Sequence, residues 1–213
     1  MNIQDNVLKN YLKHVYFITG TPCGGKTTVS RALSERHGFV CYDADEHFSH
    51  HRQISDPTFQ PAMNQTFRDA DEFFGRSVAE YQSWLLHSRR EQLDFMLLDL
   101  ICLSQDRIVI CDCDITVEEA GRLTDPSRTA FFTKDPSDLV EEYCNRPDHL
   151  DFSRFINSST DVAHARAICR ETLKELNMKR IADIRNSPYF RLDRSEGLSV
   201  EETVRLTERH FGW

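Results

Sequence analysis

A single α/β domain built on a central parallel sheet is what this 213-residue sequence predicts. Three observations carry that expectation. Short apolar runs rich in β-branched and aromatic residues recur along the chain, the first at residues 14–19 (HVYFIT). Stretches with helical apolar spacing separate them. A glycine-rich turn joins the first run directly to the first helix. Strands that alternate with helices need crossover connections, which build a parallel sheet with helices on both faces, a three-layer sandwich.

The elements follow in order. Residues 14–19 form a near-continuous hydrophobic strand, as expected for one buried on both faces. Residues 26–37 read as a helix, with Val29, Ala32 and Leu33 on one side and Gly38 at the position of a helix-ending glycine. A second strand covers 39–42 and ends at Asp43, and a short helix covers 45–51. Two prolines make 55–61 a loop. Helices are expected at about 65–86 and 90–103, the latter with Leu93, Met96, Leu97, Leu100, Ile101 and Leu103 apolar. A third strand at 107–111 ends in Asp112, and a fourth spans 128–132. Asp135-Pro136 opens a helix running to about Cys144. Residues 145–159 are polar, 159–177 helical, and 181–194 ambiguous, with a short strand near Tyr189-Phe190-Arg191. A final amphipathic helix at 199–211 begins with a Ser199/Glu202 capping box. The whole chain, 1–213, reads as one domain in which 55–104 is a helical insert and 145–159 a candidate lid.

The turn after the first strand is Gly20-Thr21-Pro22-Cys23-Gly24-Gly25-Lys26-Thr27, followed by Thr28. It has the spacing G-x-x-x-x-G-K-T. Glycines let backbone N–H groups approach phosphates closely, and the helix N-terminus adds partial positive charge. Lys26 can reach the β- and γ-phosphates, and Thr27 can offer its hydroxyl to Mg²⁺. The buried strand before it and the helix after it are the context that such a loop needs. ATP and Mg²⁺ are therefore the expected cofactors. ATP is preferred over GTP, because no Asn-Lys-x-Asp motif follows the expected strands.

Ligands of open α/β sheets sit beyond the carboxyl ends of the strands, so acids placed there are site candidates. Asp43 and Asp45 follow the second strand, and Asp112 and Asp114 the third. Asp43 and Asp112 are candidates, with Thr27, for the Mg²⁺ region, and Asp45 for orienting and deprotonating an acceptor. Aspartate is also a common helix cap, so only some of the four are expected to act in chemistry. Arg146 is the catalytic candidate in the lid, with Arg154 beside it, since arginine stabilises charge on a transferring phosphoryl group. Arg191 is a candidate to flank the nucleotide base. Arg68 and Arg76 lie on the insert, where an acceptor would be recognised. His47 and His51 have i, i+4 spacing, but the Glu of the zinc motif H-E-x-x-H is missing, which favours a surface or acceptor-side role.

Charge and cysteines bound the rest. The chain carries 34 acidic and 26 basic residues, a net charge of -8, which argues against a dedicated nucleic-acid binder. Seven cysteines, odd in number and without CxxC spacing, argue against a disulfide framework or zinc site and for a reducing, cytoplasmic compartment. No apolar run approaches the length that spans a bilayer.

Residues 20–28 together with Phe39-Val40-Cys41-Tyr42-Asp43-Ala44-Asp45-Glu46 resemble the small-molecule branch of P-loop kinases, the shikimate-kinase-like and nucleoside/nucleotide-kinase-like proteins. The resemblance implies that Asp43 serves the Mg²⁺ region and that Asp45 holds the acceptor hydroxyl. It covers about the first fifth of the chain. The third strand ends in Cys111-Asp112-Cys113-Asp114, in place of the glycine-rich acceptor motif of shikimate kinases. The implied activity is thus phosphorylation of some other small hydroxyl- or phosphate-bearing molecule. Two alternatives stay open: a nucleoside or nucleotide kinase in particular, and a regulatory ATPase without an acceptor.

Overall fold

The structure is a computed structural model, and it describes residues 3–136, 142–143 and 150–213. Its elements run α1 (Asp5–Tyr11), β1 (Val15–Gly20), α2 (Lys26–His37), β2 (Val40–Asp43), α3 (Ala44–Ile54), α4 (Pro61–Asn64), α5 (Ala70–Phe74), α6 (Val78–Leu103), β3 (Val109–Asp112), α7 (Val117–Leu123), β4 (Thr129–Thr133), α8 (Leu150–Asn157), α9 (Val162–Arg185), β5 (Phe190–Asp193) and α10 (Val200–Phe211). Short 3₁₀ turns precede β4 and follow β5.

The five strands form one wholly parallel sheet in the order β2-β3-β1-β4-β5. The chain moves outward from β1 to β2, returns through β3, and then crosses to β4 on the other side of β1. That reversal about β1 leaves a crevice at the carboxyl ends of the central strands, the usual ligand position in open α/β sheets.

Contacts divide the chain into two compact units. The first comprises Met1–Ser49, Asp94–Lys134 and Arg180–Trp213 and contains the sheet. Its core packs Ile18, Ile110, Ala130 and Phe132 of the strands against Val29 and Leu33 of α2 and Val204 and Phe211 of α10. Val15, Phe17 and Ile18 of β1 are fully buried, each worth about 2 kcal/mol of apolar burial. The second unit comprises His50–Leu93 and Asp135–Lys179. Its core is aromatic, with Phe73, Phe74 and Tyr81 buried beside Ile156, Ala165 and Leu173.

The strands stand within one or two residues of their expected places. The helices of the 65–104 region do not. Residues 65–86 are not one helix. Asp69 accepts from the Glu72 amide and starts α5, which ends at Gly75. Ser77 and Glu80 then exchange capping hydrogen bonds and start α6. No break occurs near residue 88, and α6 runs 26 residues to Leu103 because His87-Ser88-Arg89-Arg90-Glu91 holds neither glycine nor proline. The late helix is longer than expected, reaching Arg185, and the strand after it is Phe190–Asp193. Four helices were not foreseen, α4, α8, α1 and α7. The last of these, α7, carries a full capping box between Thr116 and Glu119, a pattern visible in the sequence. Most of the helix expected after Asp135 lies outside the described residues.

Candidate active site

The loop leaving β1 is shaped by contact with β4. Gly20 has φ +127°, and a Cβ there would stand 1.9 Å from the Phe132 carbonyl oxygen. The Thr21 amide donates to that oxygen at 2.9 Å, and the Thr21 hydroxyl accepts from the Lys134 amide at 2.9 Å. Thr21 is thus a fully buried tie between loop and sheet. Cys23 holds a left-handed φ of 56°, unusual for a residue with a side chain. Gly25, at φ +80°, is the residue before α2. No side chain caps α2 and no acid stands in its first turn, so its leading N–H groups face outward as an anion-binding end. The Lys26 ammonium donates to the Thr21 carbonyl at 3.2 Å, arched over the same loop. Pro22 and Gly24 complete the turn, and Thr28 is exposed on the following helix.

Asp112 meets this loop from β3. The Thr27 hydroxyl donates to Asp112 Oδ2 at 2.6 Å across 85 positions of sequence. Burial pushes the Asp112 carboxyl up to about 6, against the opposing pull of Lys26 and of the Thr27 hydrogen bond. Asp43 is the register partner of Asp112 on β2, so the two carboxylates share one row of the sheet. Burial, and then the charge of Asp45, also raise Asp43. Its Oδ1 accepts from the Asp45 amide at 3.0 Å, so Asp43 caps α3 as well as lying beside Asp112. Asp45 stands exposed in the first turn of α3.

The fourth acid has a different use. Asp114 forms an ion pair with Arg180 of α9, which also donates to the Ile115 carbonyl at 2.7 Å and to Thr19 Oγ1 at 3.2 Å. Asp114 is therefore a brace for the loop after β3. Behind Asp43, the His47 ring N–H at Nδ1 donates to the Asp43 carbonyl at 2.8 Å. The His47 ring stacks on Tyr42, whose hydroxyl donates to Asp99 at 2.8 Å. His47 thus stiffens the end of β2. His51 is buried and lies near Gln92.

The arginine candidates separate. Arg191 is exposed on β5 and donates to the Arg185 carbonyl. Arg194, which sequence reasoning missed, stands instead with its Nε 3.6 Å from where a Gly25 Cβ would be, and it donates to Thr203 and to the Ser199 carbonyl. The available signal was position: Arg194 follows the carboxyl end of β5, where ligands of such sheets bind, whereas Arg191 lies within the strand. Arg154 pairs with Asp151 in α8 and is exposed. Arg68 pairs with Glu72 at the surface. Arg76 lies over four aromatic rings of the second unit. Arg146 lies outside the described residues, as does the candidate lid from 145 to 149.

Among the described residues no group of three or more His, Cys, Asp and Glu side chains could hold a metal ion by itself. The donors around Thr27 are nonetheless all oxygen, one hydroxyl and the carboxylates of Asp112 and Asp43. Mg²⁺ in phosphoryl-transfer sites takes one or two carboxylates, with water and substrate phosphate filling the rest. The donor set suits that ion.

Sheet order, phosphate loop and the Thr27–Asp112 link together define a P-loop kinase-type fold. Among solved structures, shikimate kinase from Bacteroides thetaiotaomicron superposes with a TM-score of 0.53 at 15% identity, covering 93% of this chain and 98% of that one. A presumptive kinase from Chloroflexus aurantiacus aligns with a TM-score of 0.45 at 17% identity, over 93% and 95% of the two chains. Neither the protein-family models nor the curated proteins contain a match. Among the described residues no helix is long and apolar enough to cross a membrane.

Proposed function

We propose that the chain is an ATP-dependent kinase that transfers the γ-phosphoryl group to a small-molecule acceptor. The observation that carries this reading is the 2.6 Å hydrogen bond from Thr27 to Asp112, which joins the phosphate loop to a carboxylate of the neighbouring strand. In this reading the N–H groups of residues 20–28 and the start of α2 bind the phosphate chain of ATP. Lys26 turns from the Thr21 carbonyl to the β- and γ-phosphates, and Arg194 supplies a second cation at the nucleotide end. Mg²⁺, held by Thr27 and Asp112 with Asp43 close by, would neutralise charge on the β- and γ-oxygens. Asp45 orients the acceptor hydroxyl and takes its proton as the oxygen attacks phosphorus and ADP departs. Arg146 is proposed to stabilise charge on the moving phosphoryl group. A cytoplasmic location suits the six free cysteines among the described residues.

The test is ADP release measured across a panel of hydroxylated metabolites and nucleosides, with Mg-ATP. The reading expects release that depends on one acceptor class and falls at least about 100-fold in Lys26→Met and Asp45→Asn. ATP turnover that no acceptor accelerates, with Asp45→Asn unaffected, would favour a regulatory ATPase instead.

A further inference from the structure

A surface helix ordinarily turns its charges outward and its apolar groups inward. The segment at α1 does the reverse. Ile3 just ahead of the helix, and Val7 and Tyr11 within it, recur at every fourth residue and so share one side. They are 50%, 39% and 57% exposed. The two charges of the helix are turned toward its own chain: Asp5 pairs with Arg122 at 3.3 Å and Lys9 with Asp125 at 3.4 Å. Leu8 and Leu12 bury on that inner side. Part-exposed ion pairs contribute at most about 1 kcal/mol each, so this short helix is lightly anchored while its outward side stays apolar.

The apolar surface continues beyond α1. Tyr11 lines a groove together with Ile101 at the end of α6 and Gln105 just after it. Leu98, one turn before Ile101, is 64% exposed. All of these residues belong to the first unit. The exposed polar residues interleaved with them, Gln4, Asn10 and Gln105, carry amides, and Lys13 is the one charged residue lining the groove. In a chain of which 28% is charged, a nearly neutral apolar face that includes a tyrosine has the composition of an interface core. The same chemistry points to the occupant. An amide both donates and accepts, as does the Tyr11 hydroxyl, so each can pair with its own copy. Apolar groups and amides are thus self-complementary, as a two-fold interface requires, since one patch supplies both sides. A patch of one charge sign could not meet itself. On a chain of net charge -8, this face lets two copies approach without like-charge repulsion at the contact.

We propose that the outward side of α1 and the adjoining end of α6 form a two-fold interface with a second copy of this chain. The face is small, so the dimer is a weak one that exchanges with monomer. It lies before β1 in the chain and uses neither the phosphate loop nor the acids at the carboxyl ends of the strands. It therefore does not rest on the kinase reading.

The test is sedimentation velocity of the full chain from about 1 to about 200 μM. The expected result is a monomer–dimer equilibrium with a dissociation constant of about 10 μM. Tyr11→Glu and Leu98→Glu each place a carboxylate where the copies meet and should weaken the dimer at least about thirtyfold. Leu86→Glu charges an exposed apolar residue of the second unit and should leave it unchanged. Far-UV circular dichroism checks that each variant is folded. A chain that stays monomeric throughout overturns the proposal. So does a dimer that survives both Tyr11→Glu and Leu98→Glu, or one that Leu86→Glu disrupts equally. Assemblies that keep growing beyond the dimer overturn it as well, because a two-fold contact closes at two copies.

Discussion

At Asp112 burial competes with two neighbours that favour the charge, and burial wins, leaving the carboxyl at about 6 against an ordinary value of 3.8. The folded state therefore holds this proton more tightly than the unfolded chain does. Its contribution to stability is fully present below pH 3.8 and is lost as pH rises through about 6. Two pKa units correspond to about 3 kcal/mol. Asp112→Asn, which can still accept from Thr27, should stabilise the ligand-free protein by about 2–3 kcal/mol above pH 7 and by almost nothing near pH 4. Urea denaturation at the two pH values measures this. Asp114 behaves oppositely. Asp114→Ala leaves Arg180 largely buried without its partner and should cost about 2–3 kcal/mol while leaving nucleotide affinity within about twofold. Thermal unfolding and calorimetry separate the two effects. The phosphate loop and the row of Asp43 and Asp112 were legible in the sequence, because a local motif and strand ends mark them. The duty of Asp114 was not, because its partner Arg180 stands 66 positions away on a helix whose face toward the sheet no pattern declares. Arg194 escaped for a similar reason: the strand before it was too short to fix its own end.

The helices record how local signals rank against one another. One helix was expected over 65–86, yet caps at Asp69 and Ser77 and the stop at Gly75 divide that stretch. Capping residues set the boundaries, and periodicity only states which side faces inward. The short loop-and-helix region before α6 has its own anchor in Arg76. Its guanidinium lies 4.3 Å from the ring centres of Phe67 and Phe73, 4.9 Å from Tyr81 and 5.1 Å from Trp84. Nε donates to the Phe73 carbonyl at 2.9 Å, while Nη1 and Nη2 are buried with no hydrogen-bond partner among the described residues. Burial accordingly lowers the pKa of this arginine. Cation–π attraction of this kind contributes about 2 kcal/mol when desolvated. Arg76→Ala should lose that and leave a cavity, at about 3 kcal/mol in total. Arg76→Met, which fills the space without a charge, should match or exceed the parent protein in urea midpoint. A Met variant as unstable as the Ala variant would show that the charge itself holds the rings.

For the whole molecule, the sheet draws on three separate stretches of chain, Met1–Ser49, Asp94–Lys134 and Arg180–Trp213. Ligand binding to the phosphate loop should therefore be read out far along the sequence. An ATP analogue at about 100 times its dissociation constant should add about 2.7 kcal/mol of stability. Hydrogen exchange should slow at the start of α2, at Asp112 and Cys113, and around Arg194, with residues 61–74 unchanged. Lys26→Met should remove all of these effects. Protection confined to residues 20–28 would separate β3 and Arg194 from the nucleotide.

The pairing of β1 has a consequence for biosynthesis. Its two neighbours in the sheet begin at Val109 and Thr129, so β1 waits on the ribosome for about ninety further residues before either exists. At 5–20 residues per second that is roughly 5–20 s during which Val15-Tyr16-Phe17-Ile18 has no sheet partner. Val15, Phe17 and Ile18, which later bury completely, make it over that interval an apolar segment suited to capture by a chaperone or by another nascent copy. The segment the finished protein needs most is thus its chief hazard while it is being made.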